Sequence, residues 1–65
     1  MLIVFDFDVD APRVVLVIPR LGVRETHASG LAATFAAADY LLDAGHVEQA
    51  SRLIRPFEQA LRVAA

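Results

Sequence analysis

Sixty-five residues, no cysteine, a formal charge of −2 and 57% hydrophobic side chains together exclude a multidomain body, a disulfide-stapled scaffold and a basic nucleic-acid footprint. A chain this short hides only about 60% of the surface its unfolded form exposes, so so much apolar content calls for a partner chain, most simply in a homodimer. Met1–Phe5 runs into Asp6 without a basic leader region, and the mostly apolar stretch Leu31–Ala38 is stopped by Asp39. A cytoplasmic protein with no membrane contact is the expectation.

Residues 2–9 alternate as a half-buried strand does, with Ile3, Phe5, Phe7 and Val9 on one face. Asp6 and Asp8 fall on the other face, and Asp10 continues them into an acidic ladder. Asp10-Ala11-Pro12-Arg13 reads as a turn, because Asp can bond its own backbone and Pro fixes φ. Residues 14–18 form a second, β-branched strand that Pro19 ends. Pairing Val9 with Val14, Phe7 with Leu16 and Phe5 with Ile18 sorts the two faces, and a loop through Arg20, Gly22 and Arg24 follows.

From Thr26 the period becomes helical. Leu31, Phe35, Ala38 and Leu42 make one stripe, predicted to face inward on a helix over about 27–44. Thr26 or Ser29 would be the N-cap, with Gly45 as the terminating C′ residue. A second helix over about 46–63 carries the seam Val47, Ala50, Ile54, Phe57, Leu61 and Ala64, with Glu48–Arg52 and Glu58–Arg62 at i, i+4. Pro56 should kink or break it. The predicted fold is α+β: an antiparallel β-hairpin, then a helical hairpin (ββαα), in one domain over 1–65.

Val4-Phe5-Asp6-Phe7-Asp8, an apolar strand running into Asp-x-Asp, resembles motif I of the haloacid-dehalogenase phosphohydrolases. The resemblance would make Asp6 the nucleophile and Asp8 the general acid/base beside a magnesium ion. It covers under ten residues. Val9-Asp10 follows where that family has a small residue and then Thr or Val, and the lysine it needs is missing from a chain whose six cations are all arginine. A hairpin is also the wrong setting for a motif that belongs at a βα crossover. Same-face carboxylates on a strand stand about 7 Å apart, too far to share one cation unaided. His27 and His46 lack a second ligand at metal spacing, and Ser29 sits in no nucleophile elbow. No enzyme activity, metal or other cofactor is therefore expected.

The strand-then-two-helices order resembles the ribbon-helix-helix repressors, which would imply a dimeric DNA-binding regulator or antitoxin. Those proteins use one strand per subunit, and here the outward face would aim Asp6, Asp8 and Asp10 at phosphate. Only Arg13, Arg20 and Arg24 offer a small basic patch, so nucleic acid is not the expected partner.

Two surfaces stay apolar once this core is assigned. One is the outer sheet face, with Val4, Val15 and Val17. The other is the second face of helix one, with Ala33, Ala37 and Tyr40 beside Ala36. One is expected to form the homodimer and the other, with the acidic face of Asp6, Asp8 and Asp10, to meet an unidentified protein target. The expected function is that of a small non-enzymatic modulator or inhibitor, of the kind viruses and plasmids encode against host proteins.

Overall fold

A computed structural model describes residues 1–64 and the side-chain surroundings of residues 1–57. The chain is an α+β protein whose elements run β1 (Val4–Phe7), β2 (Val14–Ile18), a 3-10 turn (Pro19–Leu21), β3 (Val23–His27), α1 (Gly30–Asp43) and α2 (Val47–Ala64). The three strands form one antiparallel sheet in the order β1-β2-β3. Both helices lie on one side of it, so the Cα trace is a slab of 34 × 33 × 13 Å.

The β1–β2 register differs from the expected one by two residues. Phe5 pairs with Leu16 and Phe7 with Val14, and a shift of two leaves every side chain on its predicted face. The cause is a longer turn. The Asp8 N–H donates to the Arg13 carbonyl at 3.2 Å, and the Asp8 carboxylate accepts from the Asp10 N–H and from Arg13 Nε, both at 3.0 Å. Val9 is thereby drawn out of the strand and fully exposed.

Residues 23–27, expected as loop and helix start, form the third strand, with Ile18 opposite Val23 and Leu16 opposite Glu25. The connection from β2 is a single 3-10 turn begun by Pro19 and closed by Gly22 at φ 66°, a left-handed conformation that favours glycine. Thr26 is therefore a strand residue, and Ser29 is the N-cap of α1, its Oγ accepting the Ala32 N–H at 3.1 Å. At the other end Gly45 (φ 85°) is the C′ residue of a Schellman motif. Its N–H donates to the Leu42 carbonyl and that of His46 to the Leu41 carbonyl.

The core lies between β2 and the small-residue face of α1. Leu16, Ile18 and Ala37 form one buried cluster, and Ala38, Leu41 and Ala50 form another where α2 crosses. Ala33 and Ala37 are 0% exposed, whereas Leu31, Phe35 and Leu42 are 48%, 45% and 47% exposed. Of the predicted inward stripe Ala38 is buried, but Leu31, Phe35 and Leu42 are not, so α1 is rotated about its axis from the expected facing. Alanines let its backbone settle close onto the β-branched sheet, with Leu41 buried beside them, and Leu31, Phe35 and Leu42 are turned to the outside. Phe35 meets Phe57 at a ring-centroid distance of 6.0 Å.

Helix α2 runs through Pro56 as one element, with no break. Pro56 removes the donor for the Arg52 carbonyl, and both residues are on the exposed side, where water can replace that bond. Gln49 ties α2 to the chain start: its Nε2 donates to the Met1 carbonyl at 2.7 Å, and its Oε1 accepts from the Met1 amino group at 3.2 Å. Arg52 donates to Glu48 at 2.9 Å as predicted. The expected Glu58–Arg62 pair and the seam positions Leu61 and Ala64 lie outside the described side chains.

Candidate interaction faces

A two-layer slab has two broad faces, and each carries apolar side chains that the fold leaves uncovered. On the sheet side, the register sets Val4, Val17 and Arg24 in one row across the strands and Asp6, Val15 and Thr26 in the next. The predicted Val4, Val15 and Val17 therefore do share the face away from the helices. Val15 and Val17 are half-buried by their neighbours, and Val4 is exposed. A shallow depression of about 580 Å³ opens at the Val15 end of this face, lined among others by Asp6, Arg13, Arg24 and Thr26; Val4 and Val17 lie outside it.

Of the expected acidic ladder, only Asp6 lies in a strand. Asp8 and Asp10 belong to the turn. The Asp10 N–H first, and then the Arg13 side chain, hold the Asp8 carboxyl below its ordinary range. Both Asp8 oxygens are taken up in the turn, and Asp8 is not on the strand beside Asp6. Among the described residues no group of three or more His, Asp or Glu side chains is placed to hold a metal ion.

On the helix side, Ala33 and Ala37 are not available as a free face, because both are fully buried, Ala37 against Leu16 and Ile18 of the sheet. Tyr40 is half-buried at the edge of that contact. Its hydroxyl donates to Glu25 Oε2 at 2.8 Å, joining α1 to β3, while Glu25 Oε1 lies 2.6 Å from His27 Nε2. The Tyr40 hydroxyl first, and then His27, hold the Glu25 carboxyl below its usual range, and the same carboxylate pushes the Tyr40 hydroxyl up. A carboxylate bonded on both oxygens and held ionised is a poor proton acceptor at neutral pH. The cluster is suited to fastening β3 to the helix layer.

The outer helix surface carries instead Leu31, Phe35 and Leu42 of α1 and Val47 of α2, all exposed. Ile54 lies partly buried beside them, between this surface and the core. Asp39 and Asp43 border it on the α1 side and Arg55 on the α2 side, again exposed. Ser29 is occupied as a cap, His27 is bonded to Glu25, and His46 is exposed in the loop between the helices, so these three are not brought together.

No family model, curated protein or solved structure matched the chain when it was compared with them. No helix among the described residues is long and apolar enough to cross a membrane. The two features missed by sequence reasoning are the Glu25 cluster and the outward Leu31–Phe35–Leu42 stripe. The first had a signal: Val23, Glu25 and His27 alternate with Arg24 and Thr26. The second had none in periodicity alone, since both faces of α1 are apolar.

Proposed function

We propose that this chain is a small non-enzymatic protein-binding module that works as a homodimer and modulates or inhibits another protein. The single observation that carries this reading is the two-sided slab, with uncovered apolar side chains on both broad faces. Contiguous exposed apolar surface on a small soluble body marks an interaction site. The sheet face, with Val15 and Val17 between Asp6 and Arg24, has the apolar centre and charged rim of a recognition surface and is assigned to the target. A cytoplasmic site of action fits this role, as does an origin among the small modulators that viruses and plasmids encode.

The ribbon-helix-helix-like regulator has less support. Its sheet face would need to be basic, and here Asp6 faces outward alongside Arg24 while Arg13 is taken by Asp8. The test is a nuclease-treated affinity capture from the source cells, run in parallel with the tagged wild-type chain and a Val15→Asp/Val17→Asp variant. One protein held stoichiometrically by the wild type and released by the folded variant supports the reading. Retention of nucleic acid alone, lost after nuclease, replaces it with the DNA-binding one.

A further inference from the structure

The homodimer is part of the function proposed above, and the following inference rests on it while naming the surface that forms it. We infer that the outer face of the helix pair, centred on Leu31, Phe35 and Leu42, is covered by the same face of a second copy about a two-fold axis running along the α1–α2 groove.

Size separates the two broad faces. Three strands about 4.8 Å apart and about five residues long offer roughly 230 Å² of projected area. Helices of 14 and 18 residues lying side by side offer roughly twice that, before side-chain relief is counted. A stable interface needs about 800 Å² of accessible surface from each partner, so only the helix face approaches the requirement. The exposed large apolar side chains of the two helices, Leu31, Phe35, Leu42 and Val47, are also on this side.

Shape points the same way. The radius of gyration is 12.4 Å, against about 10.7 Å for a compact chain of this length. The excess reflects a slab only 13 Å deep in its Cα trace. Two slabs stacked with their helix layers about 10 Å apart make a body about as deep as it is wide.

Charge then selects a second copy as the occupant. Helix α1 carries Asp39 and Asp43 and no cation, while the described side chains of α2 include Arg52, held by Glu48, and Arg55. At about 100° per residue, Asp39 and Arg55 fall at matching positions on the far flanks of their helices, each turned outward and away from the groove. A two-fold axis along the groove lays α1 of one copy on α2 of the other. The acidic flank of each copy then meets the basic flank of its partner, twice per dimer. An axis across the helices would instead oppose like flanks.

Sedimentation equilibrium of the full chain at about 100 µM is the test, with circular dichroism on every variant. The wild type is expected at twice its 7.1 kDa mass. Phe35→Glu/Leu42→Glu should sediment as a folded monomer. Asp39→Arg and Arg55→Asp, both at exposed positions, should each raise the dissociation constant about tenfold or more, and the double reversal should restore it. A wild type that is monomeric throughout overturns both this inference and the homodimer in the proposed function. A dimer that survives the helix-face variants, or a double reversal that restores nothing, overturns this interface and leaves the homodimer itself standing.

Discussion

Tyr40 and Glu25, fifteen residues apart, are joined by a 2.8 Å hydrogen bond that fastens the last strand to the first helix. The strand it holds is an edge strand with a single apolar side chain, Val23, directed at the helices. Its attachment therefore depends on polar partners to a degree that β2, with Val14, Leu16 and Ile18 buried, does not share.

Tyr40→Phe removes the donor and should lower the urea midpoint at pH 7. Because Glu25 titrates below its ordinary 4.5 in the folded chain, its contribution is present above that value and is lost as pH falls through the lowered one. The difference between wild type and Tyr40→Phe should accordingly shrink by pH 3. At the alkaline end Tyr40 titrates above its ordinary 10.0, so its contribution is present below 10.0 and is lost as pH rises through the raised value. Urea titrations at pH 3, 7 and 11 check both limits, and an equal gap at pH 3 and pH 7 would contradict the assignment.

The turn controlled by Asp8 sets the β1–β2 register. Asp8→Ala loses both carboxylate bonds and should let the hairpin move toward the shorter turn, in which Phe5 opposes Ile18 and not Leu16. Cross-strand nuclear Overhauser contacts of Phe5 distinguish the two. Asp8→Asn, which keeps an acceptor for the Asp10 N–H, should retain the native register.

Close packing of α1 on the sheet makes Ala37 intolerant of size. Ala37→Leu should destabilise the chain by about 1–3 kcal/mol through overpacking. Leu16→Ala on the opposing strand should cost about 2–5 kcal/mol through the cavity it leaves. Chemical unfolding measures both. A neutral Ala37→Leu would mean that this face of the helix is free.

Gly45 ends α1 in the left-handed region with no atom near where a Cβ would stand, so a substitution there meets backbone strain alone. Gly45→Ala should cost about 1–2 kcal/mol by urea unfolding, with the fold retained.

The hairpin, the helical hairpin, the Ser29 cap and the Gly45 stop are legible in the residues because each depends on local chemistry. Turn residues, caps and alternation act within a few positions of where they are written. What escaped depends on distant partners. Strand β3 is closed by Tyr40 from another element, so it shows one valine where an apolar strand face would show three. The facing of α1 was obscured by alanine. Size ranks Leu31, Phe35 and Leu42 as core, but a two-layer slab selects the face that permits the closest approach to the sheet. Of the candidate site residues, Val4, Val15 and Val17 share an open face because strand period alone decides it. Ala33 and Ala37 are in the core because packing decides it.

The observed facing of α1 underlies the helix-side surface. Hydroxyl-radical footprinting of the monomer, reached by dilution or with Asp39→Arg, tests it most directly. Phe35 and Leu42 should be oxidised readily while Leu16 and Leu41 are protected, and raising the wild-type concentration should then protect Phe35 and Leu42. Protection of Phe35 and Leu42 in the monomer to the level of Leu16 would contradict the account, because it would place these two side chains inside.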